Sequence, residues 1–174
     1  MLDILYQRRS IRKYEKKPIE KEKVDQLIKA ALLAPSARSA MSQRFIVVDD
    51  PVLLDKLAKV RAGASSFLKD ATLGIVVIGD SSVSDVWVED TSLAAIIIQL
   101  AAESLGLGSC WIQIRNRQHN EEVSAEEYIR NILGFPENLK VLCIISLGYP
   151  LERKPAKKDD ELGFDRVSIN GYNK

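Results

Sequence analysis

The chain has 174 residues, 46% of them hydrophobic and 28% charged, and its 25 Lys and Arg against 24 Asp and Glu leave a formal net charge of +1. That length can bury a full core within one domain, and so balanced a charge provides no global field to recruit nucleic acid or an anionic membrane. No run approaches the ~20 apolar residues that span a bilayer, and residues 1–13 carry no apolar stretch followed by a cleavage site, so a cytoplasmic protein is expected.

In chain order, a short N-terminal helix leads into Arg8, Arg9, Ser10 and Arg12. Pro18 and Glu20 precede Val24, Leu27, Ile28, Ala31 and Leu32, whose three- and four-residue spacing predicts an amphipathic helix ending near Ala34 and Pro35. Residues 35–43 read as polar and irregular. Phe45, Ile46, Val47 and Val48 predict a strand, stopped by Asp49, Asp50 and Pro51, the proline opening the next helix. Leu73 to Ile78 predicts a second strand, closed by Gly79 and Asp80.

Val86 to Leu105 has a helical pattern, and from Leu93 to Ala102 only Gln99 interrupts an otherwise apolar surface. Such a helix is either central or meets a second subunit. Gly106 and Gly108 stop it, Cys110 to Ile114 predicts a strand, and Ser124 with Glu127 makes a capping-box start for a helix ending at Gly134. Val141 to Leu147 is the last core strand. The order predicts an α/β protein in three layers, with helices on both faces of four strands set around one buried helix. Residues 1–150 form a single domain, and the charged stretch 151–174 reads as an arm lying across a partner.

The side chains exclude several chemistries. His119 is the only histidine and has no nucleophile placed beside it by any motif, which argues against a catalytic triad. Cys110 and Cys143 sit in apolar runs, as buried reduced thiols do, and no CxxC or HExxH spacing suggests a metal. There is no GxxxxGK[ST], and Gly106-Leu107-Gly108 follows a helix and precedes a strand, the reverse of the dinucleotide fingerprint. No catalytic side chain and no metal ligand is therefore expected, and a bound cofactor would have to carry any chemistry. Arg8, Arg9, Ser10 and Arg12 form a compact set of guanidinium and hydroxyl donors suited to a phosphate monoester, or else a solvated basic patch.

Arg8-Arg9-Ser10-Ile11-Arg12 resembles the opening Arg-x-Ser-x-Arg/Lys signature of the nitroreductase family of flavoproteins. Three further segments match that family in order: Ala34-Pro35-Ser36-Ala37-Arg38 before Phe45, Val88-Glu89-Asp90 before the apolar helix and Leu105 to Ile112, and Leu133-Gly134-Phe135-Pro136 before Gly148-Tyr149-Pro150. The resemblance covers residues 1–150. It implies a mostly antiparallel sheet flanked by helices, an intertwined homodimer, and FMN held between the subunits.

Carried over by position, the resemblance assigns Arg8, Arg9, Ser10 and Arg12 to the FMN phosphate and ribityl chain, and Trp111, Ile112 and Gln113 to the edge of the flavin ring. Pro35, Ser36, Ala37, Arg38 and Ser39 would reach the flavin of the other subunit. Where many relatives have Asn and a Gln-Pro-Trp type segment, this chain has Ser39-Ala40-Met41-Ser42-Gln43-Arg44. A basic residue for the phosphate would come from the arm, with Lys157, Lys158 and Arg166 as candidates. The implied activity is a ping-pong transfer of electrons from NADH or NADPH to nitroaromatics, quinones or similar small acceptors. Reductive dehalogenation, flavin fragmentation and a non-catalytic flavin-binding module are the alternatives.

Overall fold

The computed structural model describes residues 1–172. The helices are α1 (Leu2–Gln7), α2 (Lys21–Leu32), α3 (Pro51–Leu57), α4 (Trp87–Ser104) and α5 (Ala125–Leu133), and the strands are β1 (Gln43–Val48), β2 (Leu73–Asp80), β3 (Gly108–Gln113) and β4 (Leu139–Gly148). The order of elements is the one the hydrophobic periodicity predicts. Local chemistry sets several boundaries. The Asp50 carboxylate accepts from the amides of Val52 and Leu53 ahead of Pro51, the Ser124 hydroxyl accepts from the Glu127 amide, and Gly106 and Gly134 take left-handed φ values of 72° and 71° at the helix stops.

The sheet runs β1-β2-β4-β3, and every neighbouring pair is antiparallel. β2 and β4 lie in the middle and are apolar on both faces, as doubly covered strands must be. Val76, Ile78, Ile112 and Ile144 pack beneath α3 and α5 with Leu54, Leu57 and Ile129. On the other face Ile75, Val77 and Ile145 meet Leu27 and Ala31 of α2 and Ala95, Ile98 and Ala102 of α4. A bulge between Val77 and Ile78 leaves Leu142 without an opposite residue. Gly79 admits Trp87, because a Cβ there would fall 2.4 Å from the indole Cε3.

One expectation changes. The strands do not surround α4, which lies on one face of the sheet and is covered on that side only. Leu93 is 44% exposed, and Ile96, Ile97 and Leu100 along the same side are only half-buried. Four strands of one chain make a single layer, and among the described residues the helix's outer face is only partly covered.

The first part of the arm is tied to its own subunit. Leu151 donates to the Lys13 carbonyl at 2.9 Å, Lys157 to the Tyr6 carbonyl at 2.9 Å, and the Tyr6 hydroxyl to Asp159 at 2.6 Å. Beyond it Phe164, Val167, Ile169 and Tyr172 are exposed. Cys110 and Cys143 are buried and free, and burial pushes both thiols up. Among the described residues no helix is long and apolar enough to cross a membrane.

Candidate functional site

β3 is an edge strand, and the N-terminal segment lies along its first half. Ser10 forms a parallel bridge with Ser109, and the Ile11 amide donates to the Ser109 carbonyl at 2.9 Å. Antiparallel pairing alternates, so neighbouring residues point their peptide groups to opposite sides. Ile114 donates to Leu142 of β4 at 3.1 Å, so the alternation turns Ile112 and Cys110 toward β4 and Ser109, Trp111 and Gln113 outward. Ser109 is covered by the Ser10 segment. Trp111 and Gln113 therefore present their N–H groups at a free edge.

Side chains brace that edge. The Trp111 indole Nε1 donates to the Gln113 side-chain oxygen at 2.9 Å, Gln113 Nε2 donates to the Arg115 carbonyl at 2.9 Å, and the Arg61 guanidinium donates to the Gln113 carbonyl at 3.3 Å. Ile112 is 2% exposed and supports the edge from behind, so of the three expected residues only Trp111 and Gln113 reach the surface of the site.

At the start of β3 lies an open cavity of about 600 Å³ lined by Arg9, Ile11, Gly108, Glu103, Arg153 and Lys154, among others. Arg9 donates to the Pro155 carbonyl and Lys154 Nζ to the Ser10 carbonyl, which draws the returning chain over the N-terminal cluster. Arg8 is half-buried and opposes the burial that pushes the Glu103 carboxyl up. The Arg12 guanidinium lies 5.7 Å from the Phe67 ring, while its amide donates to Glu152 Oε1 at 2.6 Å. That bond, with help from Lys154, holds the Glu152 carboxyl below the usual range. Arg9, Arg153 and Lys154 line this open cavity with Glu103 and Glu152, whereas Arg8, Ser10 and Arg12 do not line it, and these cations with the outward amides further along β3 form a donor set that fits a phosphate-bearing planar cofactor.

Pro35, Ser36, Ala37, Arg38 and Ser39 do not join this cluster within one chain. They precede β1, the opposite edge of the sheet, and three strand spacings separate β1 from β3, about 14 Å. The loop is held from behind by Asp90, as described below. The arm's cations are placed differently from one another. Lys157 Nζ pairs with Glu161 at 3.4 Å and Arg166 donates to the Leu162 and Gly163 carbonyls, whereas Lys154, with Arg153, faces the cavity. Sequence reasoning did not single out Lys154, Glu152 or Arg61, and it gave Asp90 only as part of the Val88-Glu89-Asp90 match, with no role. The signal for the first two was their position directly after Gly148-Tyr149-Pro150, whose Tyr149 carbonyl accepts from the Glu15 amide and carries the chain back beside residues 13–15.

A four-stranded antiparallel sheet layered by helices, with a phosphate-type donor set along an edge strand, defines a class of small cofactor-binding α+β proteins. Residues 5–64 and 57–149 match the Nitroreductase family, and the chain belongs to that family. It is similar to an FMN-dependent nitroreductase of Clostridium difficile R20291, with 49% identity and a TM-score of 0.97 covering 99% of this chain and 100% of that one. A protein of Archaeoglobus fulgidus provisionally named NADH dehydrogenase/NAD(P)H nitroreductase is 39% identical over 95% of each chain. A Methanothermobacter thermautotrophicus protein of the same name is 36% identical over 99% of this chain and 87% of its own.

Proposed function

We propose that the protein is a cytoplasmic, FMN-dependent oxidoreductase that passes electrons from NADH or NADPH to nitroaromatic, quinone or similar small acceptors. The observation that carries this reading is a single edge strand, β3, whose residue Gly108 lines the cavity of Arg9, Arg153 and Lys154 and whose outward amides at Trp111 and Gln113 lie further along the same edge. When bound, FMN supplies the hydride-accepting and electron-donating chemistry, which accounts for a site without a dedicated acid or base. Arg8, Arg9, Ser10, Arg12 and Lys154 would hold the phosphate and ribityl chain. The outward amides of Trp111 and Gln113 would donate to the ring edge and stabilise the negative charge of the reduced state.

The second half of the site comes from a second copy. The bare side of α4, Leu93, Ile97 and Leu100, gives two chains an apolar seam, and pairing them would bring Pro35 to Ser39 of one chain toward the cavity of the other. The exposed end of the arm, Phe164 to Tyr172, would lie across the partner. Donor and acceptor then share one open pocket and use it in turn. Initial rates over a grid of NADH or NADPH and a quinone concentrations test this: parallel double-reciprocal lines support it, and intersecting lines sink the alternating scheme.

A further inference from the structure

Residues 37–42 carry more backbone strain than any other described segment. Arg38, Ser39 and Met41 have φ values of 52°, 54° and 50°, the left-handed region that favours glycine, and no glycine is present. The loop's own hydrogen bonds are few: Ser39 to the Ser36 carbonyl at 3.1 Å, Ala40 to the Ala37 carbonyl at 2.9 Å, and the Met41 amide to the Ser36 hydroxyl at 2.9 Å. Something else over-determines the conformation.

Arg44 donates to the Met41 carbonyl at 2.7 Å and the Asp80 amide to the Ser42 carbonyl at 2.9 Å, and Asp90, a carboxylate only 2% exposed in the first turn of α4, bridges the loop's two ends. Its Oδ1 accepts from the Ala37 amide at 2.8 Å and its Oδ2 from the Ser42 hydroxyl at 2.7 Å, so one carboxylate grips both ends of the strained stretch. Gln43 Nε2 donates to the Pro35 carbonyl at 3.0 Å and closes the loop's base. Arg38 and Ser39 are left exposed. One turn further along α4 begins the bare apolar side at Leu93.

We propose that Asp90 is a positioning residue, holding residues 37–42 in the strained form that presents Arg38 and Ser39 to the cofactor bound by a second copy of the chain. The proposal rests on the FMN reading above. Because the clamp stands one helix turn before the start of the proposed subunit seam, docking of two helices and placement of the loop become one event. A charged acceptor with two bonds fixes the loop more firmly than a neutral one, and an unclamped loop would relax from the left-handed region.

The test compares wild type with Asp90→Ala, Asp90→Asn and Ser42→Ala. FMN affinity, KM and kcat are measured on the loaded protein, and amide exchange at residues 37–41 and in β2 and β4 is followed on the FMN-free protein. The expected result for Asp90→Ala is FMN binding about tenfold weaker, with kcat and KM both altered, together with faster exchange confined to 37–41. Asp90→Asn keeps an acceptor for Ala37 and a donor to Ser42, so it restores most of the affinity, and Ser42→Ala falls between. Exchange rising equally in β2 and β4, or unchanged FMN affinity in Asp90→Ala with a loosened loop, overturns the positioning role. A wild-type protein that binds no FMN overturns the cofactor reading and the role toward it, while the exchange data still decide whether Asp90 holds the loop.

Discussion

Ser10 and Ser109 face each other in a parallel bridge, secured by the 2.9 Å bond from the Ile11 amide to the Ser109 carbonyl. This pairing joins the basic N-terminal cluster to the edge strand, so the proposed phosphate donors and the proposed ring-edge amides are set by one junction. Gly108 makes the close approach feasible, since a Cβ there would stand 2.8 Å from Ile11 Cγ2 and 2.9 Å from its Cβ. Gly108→Ala should push the N-terminal segment off β3. Crowding of this kind costs about 1–3 kcal/mol, or roughly 3–10 °C in melting temperature, and FMN affinity should fall with it. Calorimetry and a flavin-fluorescence titration check both.

Lys154 and Arg166 separate the two ideas of where the arm supplies its cation. Lys154 stands at the cavity with Arg153, whereas Arg166 caps its own turn. Lys154→Ala should weaken FMN binding about tenfold and reduce its sensitivity to salt, with Arg166→Ala unchanged. Titrations at low and high ionic strength distinguish them.

Glu152 gives a pH dependence with a definite sign. Its carboxyl is held below the usual range chiefly by the Arg12 amide, so its contribution to stability is present above the unfolded carboxyl's value, about 4.3, and is lost as pH falls through the folded value. The melting-temperature difference between wild type and Glu152→Gln should be largest near neutrality and shrink in acid. In the same range the Arg12 amide should lose its protection from exchange.

The uncovered side of α4 predicts an assembly. Ile97→Asp places a charge on the half-buried row that includes Leu100 and the exposed Leu93 and that the described chain covers only in part. Sedimentation should show the wild type at twice the chain mass and the variant at one, and the variant should lose FMN, because Pro35 to Ser39 would no longer reach a cavity.

Much of this fold can be read from spacing. The alternation of α2, the apolar run of β2 and the stops at Gly106 and Gly134 are local signals, and each element appears where its pattern lies. The boundary of the arm is less legible, because the bonds that hold residues 151–157 run to the backbone of residues 6–13, and backbone acceptors leave no mark in composition. The strained loop is invisible for a related reason. Arg38, Ser39 and Met41 have no left-handed preference of their own, and the conformation is imposed by Asp90, about fifty positions away. Likewise the alternation that makes Trp111 and Gln113 available and Ile112 not depends on which strand neighbours β3, a fact of the assembled sheet.

The most direct test of the account is a visible spectrum of the purified protein, supplemented with FMN, desalted, and recorded without oxygen before and after NADH or NADPH. Retained flavin bands that bleach on addition of a nicotinamide and return when a quinone is supplied are the expected result. Flavin lost on desalting would contradict the assignment of Arg8, Arg9, Ser10 and Arg12, and retained bands that neither nicotinamide bleaches would contradict the proposed reaction.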